Sequence, residues 1–329
     1  MKKNSKSNKS GFLKGLGIFF IVLIVIIASV LAAGYAFLTH KLSNLNYVDI
    51  DESAIAINAN VDENLKNYRN IVILGVDSRD NSYSNTRSDC IIIASINKKT
   101  NDVKLTSVYR DTYVNIDGYG LDKITHAYAY GGPELAMSTL NKNLDLNITE
   151  FVTVNFETVE TIVDAVGGIS LTITDAEAGQ IGLSSGGTYN LDGEEALAYS
   201  RIRKIDSDYQ RTERMRTVLE AVFDKIKSLN ISALSDLVDT ILPLVSTNIS
   251  SNEIIAMLPS VIFYNITNSE GWPYDVSGYS SDAWYGVPVT LESNVKELHS
   301  ELFENDNYTP SETVQEISDD IINETGYSE

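Results

Sequence analysis

Two short apolar runs, within Asn70–Val76 and Cys90–Ile96, constrain this chain most. Each is too short for an ordinary helix and lacks the alternation of a strand with one wet face. They read as strands buried on both sides, which obliges their sheet to carry a covering layer on each face. Val103–Val108 alternates as a third strand, and Phe151–Phe156 and Ile169–Ile173 add two more. Segments of helical periodicity lie between and after them. Gly131-Gly132-Pro133-Glu134 opens one, with proline suited to a first turn. Thr158–Val166 is a second, stopped by Gly167-Gly168, and Leu191–Leu197 is a short third. From about Asp208 the apolar residues Met215, Val218, Leu219, Val222, Phe223 and Ile226 recur at three- and four-residue spacing, with Ser207 or Asp208 placed to cap the helix. Apolar-periodic segments near Ile231–Leu244 and Ser251–Phe263 precede a loop and strand over Trp272–Pro288 and a closing helix over Leu291–Phe303. Strands alternating with helices give one α/β domain over 67–304. Residues 305–329 are acidic and short of core side chains, and are expected to be a disordered tail.

The ends of the chain belong to different surroundings. Lys2, Lys3, Lys6, Lys9 and Lys14 stand in a first segment, 1–14, that has no acid. The net charge of the whole is −20, so the remainder carries −25. Gly15–Thr39 has no charged residue. As a helix it would be about 37 Å long, enough to cross a hydrocarbon core of about 30 Å. The lysines before it predict a cytoplasmic N-terminus and an external body. A cleaved signal peptide, with small residues at Ala32-Ala33-Gly34, is the competing reading; the apolar run is long for a signal-peptide core. Residues 40–66 are polar and weakly patterned, as a linker is.

Composition removes several functions. The lone Cys90 allows no disulfide within the chain, and His40, His126 and His299 lack metal-ligand spacing, which argues against a zinc enzyme. An acidic body is a poor partner for nucleic acid. The arginines are therefore informative. There are nine, eight of them in short segments: Arg79 and Arg87; Arg110; Arg201 and Arg203; Arg211, Arg214 and Arg216. Arg211 and Arg214 fall at the start of a helix, where the dipole is positive and a cation costs roughly 0.3–1 kcal/mol. Such crowding is relieved by an anion, and phosphate suits both helix N-termini and guanidinium forks. Pairing with surface acids is the plainer alternative.

The charged groups fall at the ends of the buried strands, where ligand clefts form in open α/β sheets. Asp77 and Arg79 follow the first strand, Arg87 and Asp89 precede the second, and Arg110 and Asp111 follow the third. If the ends converge, carboxylates sit amid guanidiniums. Mg²⁺ is typically held by one or two carboxylates plus substrate phosphate oxygens. Asp77 and Asp89 on such a metal, with arginines on the remaining oxygens, would hold a pyrophosphate. Salt bridges closing the sheet edge remain the alternative.

Ordered motifs carry a resemblance. They are Gly75-Val-Asp77-Ser-Arg79, Arg87-Ser-Asp89, Tyr109-Arg110-Asp111-Thr-Tyr, Lys123-Ile124, Tyr128-Ala-Tyr-Gly-Gly-Pro-Glu134, Val154-Asn-Phe156, Val166-Gly-Gly168 and Leu191-Asp-Gly-Glu-Glu-Ala-Leu-Ala-Tyr-Ser-Arg-Ile-Arg203. Over roughly residues 67–230 the chain resembles the LytR–CpsA–Psr family. That resemblance implies an α/β/α sandwich with a central mixed sheet and an apolar pocket for a lipid tail, preceded by one N-terminal transmembrane helix. It implies an extracytoplasmic transferase of Gram-positive and related bacteria, moving a glycopolymer such as teichoic acid or capsule polysaccharide from a polyprenyl-pyrophosphate carrier to a muramic acid hydroxyl of peptidoglycan. By position, Asp77 and Asp89 would hold Mg²⁺ or Mn²⁺, and Arg87, Arg110, Arg201, Arg203 and Arg211 the two phosphates. Arg79, Asp111, Lys123 and Arg214 would be close support, with Arg110 and Asp111 counted among the catalytic groups.

Three departures from the family pattern stand out. Tyr109 replaces the usual proline before Arg-Asp, Thr125-His126 replaces an asparagine-containing pair, and Met215 stands where a glutamine is common. The loop between Arg203 and Arg211 is also short. His126 reads as a loop or pocket-wall residue. Two other functions use the same residues: a pyrophosphatase on polyprenyl pyrophosphate, with water as nucleophile, and a non-catalytic protein binding wall polymer or lipid pyrophosphate.

Overall fold

A computed structural model describes residues 45–78 and 83–328. The chain enters through strand β1 (Asn46–Tyr47); Asn58 then caps helix α1 (Ala59–Leu65), its side chain accepting from Asn60 N at 2.9 Å. Strands β2 (Tyr68–Val76), β3 (Ser88–Asn97) and β4 (Asp102–Val108) follow, then the hairpin β5 (Tyr113–Ile116) and β6 (Gly120–Lys123), which turns through residues 117–119. Helix α2 (Ile124–Leu144) is kinked at Gly131 and Gly132, so the helix expected from Gly131 onward is the second half of a longer one. Next come β7 (Glu150–Asn155), α3 (Phe156–Ala165), β8 (Ile169–Ile173), α4 (Asp175–Gln180), β9 (Gly187–Leu191) and α5 (Gly193–Ser200). Helices α6 (Asp208–Ser228) and α7 (Ile231–Ile241) lead to β10 (Ser246–Thr247), α8 (Ser251–Met257) and β11 (Asn265–Trp272). The hairpin β12 (Val276–Ser280) and β13 (Trp284–Pro288), then α9 (Leu291–Phe303) and α10 (Glu312–Thr325), complete the order.

The central sheet is mixed, in the order β1-β10-β7-β2-β3-β4-β11. Its strands divide their side chains between two helical layers. Val72, Leu74, Ile91 and Ile93 face a core shared with Ala136, Leu140, Val295 and Leu298. Ile71, Ile92, Ala94 and Leu105 face the other layer, where Leu219 of α6 packs against them. Both sides of β2 and β3 are covered, which is why their sequences show no alternation. The result is the three-layer α/β/α arrangement with a mixed sheet that the family resemblance implies, and the strand runs alone called for its two covered faces.

Two expected boundaries are corrected. Residues 45–66 are not a free linker: β1 pairs with β10 in the sheet, and Ile55, Val61 and Leu65 are buried in the main core. Nor is the C-terminal segment a disordered tail. Helix α10 buries Val314, Ile317 and Ile321 in that core, and Asp145 ties its start by accepting from Ser311 N and Oγ at 2.7 Å each. In both segments the few apolar residues are spaced to meet one face and are diluted by polar neighbours. Segments 1–14 and 15–39, with residues 40–44 of the expected linker, lie outside the described residues. No helix among the described residues is long and apolar enough to cross a membrane.

Candidate functional site

Three strand ends and one helix start converge. Strand β2 ends beside the start of β3, because the two are antiparallel, and a bulge between Gly75 and Val76 leaves Asp89 out of the pairing ladder. Strand β4, antiparallel to β3, ends beside that bulge and delivers Tyr109, Arg110 and Asp111. Helix α6 brings Asp208 and Arg211 to the same place. Its start is fixed by Ser207, which caps the helix and completes a capping box with Gln210.

Arg110 is the centre. Its Nη1 donates to Asp89 Oδ1 at 2.9 Å, and its Nε lies 3.4 Å from both Asp111 and Asp208. Burial works against its charge, but Asp208, Asp89 and Asp111 outweigh that and hold its pKa above the usual value. Lys123, at the end of β6, donates to Asp111 Oδ1 at 2.7 Å. Arg203 Nη2 lies 4.0 Å from Asp89 and is 57% exposed. Arg201 places its guanidinium 4.5 Å from the ring of Phe156. Arg87, just before β3, is exposed.

Arg211 differs from all of these. It is 1% exposed and spends only Nη2 on a protein partner, Asp208, at 2.8 Å. Its Nε and Nη1 are buried with no hydrogen-bond partner. Burial first, then Arg110 and Arg203, depress its pKa. A buried guanidinium with two open donors is costly to keep, and an oxyanion is the group that would complete it.

Arg214 is expected as close support for the phosphate-holding arginines, and its donors are all directed into the protein. Nε donates to Glu177 at 2.7 Å, Nη1 to the carbonyl of Ile202 at 3.1 Å, and Nη2 to Asp206. It braces the loop that carries Arg203. Arg79 lies outside the described residues. Asp77 is exposed at the end of β2, and its carbonyl accepts from Thr86 Oγ1 at 3.2 Å. His126, in the first turn of α2, contacts Asp122 at 2.9 Å through Nδ1.

An apolar cavity of about 280 Å³ abuts the cluster, between the sheet and helices α3, α6 and α7. Ile73, Ile92, Val159, Leu219 and Val222 line it; so do Gly75 and Cys90 beside the bulge, and Phe156 and Ser200 beside Arg201. Gly75 is needed for the close approach of two strands, since a Cβ there would sit 2.8 Å from that of Cys90. Met215 lines this cavity, so its place is in the apolar wall rather than among the phosphate contacts. Burial pushes the Cys90 thiol up to about 12, which leaves it a wall residue and not a nucleophile.

Carboxylate chemistry suits a hard cation at one edge of the cluster. Asp77 is exposed, and the bulged Asp89 keeps one oxygen 4.0 Å from Arg203. Among the described residues no group of three or more His, Cys, Asp or Glu is arranged to hold a metal. Two carboxylates at adjoining strand ends fit a cation whose other ligands are phosphate oxygens and water.

Sequence reasoning passed over several residues of the site. Asp208 suits a helix cap by its position, and as an acid three residues before Arg211 it also carries an ion-pair signal. Tyr209, Trp284 and Glu177 gave none, because their neighbours come from distant segments.

The pattern of the LytR_cpsA_psr family matches residues 36–273. A polyisoprenyl-teichoic acid–peptidoglycan teichoic acid transferase of Bacillus subtilis, TagT, is 37% identical over 224 residues, covering 63% of this chain and 69% of its own. A TagU of the same description from Enterococcus faecalis is 37% identical over 219 residues, covering 65% and 71%. A TagT structure with bound octaprenyl pyrophosphate lipid superposes with a TM-score of 0.54 at 28% identity, covering 80% of this chain and 92% of that one.

Proposed function

The chain belongs to the LytR–CpsA–Psr family, and from that premise we propose that it is a transferase moving a glycopolymer from a polyprenyl-pyrophosphate carrier to peptidoglycan. Arg211 is the observation that carries this reading. Its two open donors are buried beside Arg110, and an apolar cavity begins at the neighbouring Cys90 and Ser200. A cluster that takes an oxyanion next to a cavity that takes hydrocarbon suits a lipid pyrophosphate. The related TagT and TagU are polyisoprenyl-teichoic acid–peptidoglycan teichoic acid transferases, and one TagT structure holds octaprenyl pyrophosphate.

The acceptor hydroxyl oxygen attacks the phosphorus that bears the glycan. A new P–O bond forms as the bond to polyprenyl phosphate breaks, and polyprenyl phosphate leaves with the electron pair. The hydroxyl proton passes to a carboxylate of the cluster. Arg110, Arg201, Arg203 and Arg211 orient the phosphates and offset charge developing on their oxygens. Asp77 and Asp89 would hold Mg²⁺ or Mn²⁺, which supplies further charge neutralisation. Arg214 keeps the Ile202–Asp206 loop in place. Residues 15–39 anchor the protein with its body outside the cell.

The test incubates purified protein with a polyprenyl-pyrophosphate-linked glycan and peptidoglycan oligomers, and follows products by mass. A glycan–phosphate–peptidoglycan adduct is expected. A free glycan phosphate in its place would make the protein a pyrophosphatase, and unchanged substrate would make it a binding protein.

A further inference from the structure

On the Asp111 and Asp208 side of Arg110 lies a second concavity, of about 150 Å³, that shares no lining residue with the apolar cavity. We infer that it is the seat of the acceptor sugar, an uncharged N-acetylhexosamine ring of the glycan that receives the polymer. The inference rests on the transferase reading and adds to it the place of the second substrate.

Three rings line this cleft. Tyr109 and Tyr209 lean together with centroids 4.3 Å apart, and Trp284 completes the wall at 45% exposure. Aromatic faces with a few convergent polar groups are what a small polar-and-apolar ligand such as a sugar ring uses. Asp111, Asp208, Ser207 and Thr112 supply oxygens for its hydroxyl and amide groups. Among the described residues the lining holds no lysine or arginine, and its two acids are already paired with Lys123, Arg110 and Arg211, so the cleft offers no free cation to a phosphate-bearing glycopolymer. A neutral ring suits it, and the polyanionic donor does not.

Position agrees with chemistry. In an in-line displacement the entering and leaving oxygens stand on opposite sides of the phosphorus. The apolar cavity that takes the polyprenyl chain meets the cluster at Cys90 and Ser200, whereas this cleft meets it at Asp111 and Asp208, so chain and entering hydroxyl would approach Arg110 along different walls. The wall is rigid: Gly286 N donates to the Asp111 carbonyl at 2.9 Å, docking β13 against the site. Trp284 lies close over Gly278 of the facing strand, where a Cβ would come within 2.8 Å of its Nε1. Tyr109 stands where the family commonly has proline, so one of the three rings is this chain's own.

The full chain in nanodiscs tests this with Trp284→Ala and Trp284→Phe, at a half-exposed position where substitution spares the fold. With lipid-linked donor saturating, Trp284→Ala should raise the acceptor KM at least tenfold, leave kcat within about twofold and leave the donor KM unchanged; Trp284→Phe should recover most of the loss. Chitotetraose added without donor should change the tryptophan fluorescence saturably in the wild type and not in Trp284→Ala, the other tryptophan, Trp272, being fully buried. An unchanged acceptor KM, or a raised donor KM in its place, overturns the assignment. Saturable chitotetraose binding in a protein that transfers nothing would fail the transferase reading while leaving the sugar site standing. Transfer that ignores Trp284 would do the reverse.

Discussion

Arg110 and Asp89 meet at 2.9 Å across the ends of neighbouring antiparallel strands. Ile92 of β3 opposes Ser107 of β4, and three further steps along that register bring Asp89 opposite Arg110. A slip of one residue would turn every side chain of β4 to the wrong face. The pairing is therefore guarded by the core itself. The same contact sets the task of Asp89, which orients the central guanidinium and, under the proposed function, would also offer an oxygen to a cation.

That double task makes Asp77 and Asp89 separable. Asp77→Asn and Asp89→Asn should both fold, since asparagine keeps the shape. Each removes the charge that holds a hard cation, and loss of such charge stabilisation commonly costs about two to three decades of rate. Asp89→Asn should in addition weaken substrate binding, because Arg110 loses its 2.9 Å partner, whereas Asp77→Asn should leave binding nearly intact. Transfer assays against Mg²⁺ concentration check this, with partial rescue of both variants by excess metal expected. Wild-type turnover that survives complete chelation of divalent ions would remove the metal from the reaction.

The C-terminal helix gives a stability prediction. Val314, Ile317 and Ile321 are each at most 4% exposed. Burying such side chains contributes roughly 1.5–3 kcal/mol apiece, against a typical total stability of about 5–15 kcal/mol. Deleting residues 311–329 should therefore leave the domain largely unfolded at 37 °C. Circular dichroism melting and limited proteolysis read the outcome, and an unchanged melt would mean that the helix is dispensable.

That helix also shows where sequence reading stops. β2 and β3 were legible because both of their faces are buried and their apolar runs are unbroken. In α10 the buried residues sit at 314, 317 and 321 among acids, and only the partner surface of α9 and α2 gives that spacing its meaning. Strand β11 was missed for a related reason: Asn265-Ile-Thr-Asn-Ser-Glu-Gly-Trp272 is an edge strand with mostly polar side chains. Within the site, strand ends announced Asp89, Arg110 and Asp111. The orientation of Arg214 could not be read, because it depends on Glu177, brought in from 37 residues away.

Acid should weaken the fold through His299. Its ring is 1% exposed, Nε2 donates to the Leu144 carbonyl at 3.1 Å, and Nδ1 is buried without a partner. Burial lowers its pKa to about 4 from an ordinary 6.5. The unfolded chain then binds a proton below pH 6.5 that the folded protein refuses until about pH 4. Stability from the neutral ring is full above pH 6.5 and is lost as pH falls toward 4, by about 3 kcal/mol in all. In thermal melts over this range, His299→Gln should show a shallower acid limb than the wild type, whatever its midpoint at pH 7. A parallel limb would mean that other groups govern acid unfolding.

Arg211 makes the opposite demand on the fold. Its charge is buried with two donors open, so the empty site carries a penalty that a bound oxyanion removes. Arg211→Met keeps the bulk and removes the charge; Asp208, left behind, is one-third exposed and can be solvated. Replacing an imperfectly paired buried ion by an apolar side chain is often neutral or stabilising, so the variant should melt at or above the wild-type temperature when no ligand is present. Its affinity for a short-chain polyprenyl pyrophosphate should fall by about 1.5–3 kcal/mol, the worth of charge-assisted hydrogen bonds to phosphate. At a ligand concentration about 100 times Kd, the wild type gains about 2.7 kcal/mol by mass action, which is a rise of several degrees in Tm for a domain of this size. The variant should show only about a tenth to a half of that rise at the same concentration. Calorimetric melts with and without ligand distinguish the outcomes: a variant that loses stability without ligand but keeps the full ligand-induced rise would make Arg211 a structural residue and would remove the main support for a phosphate site.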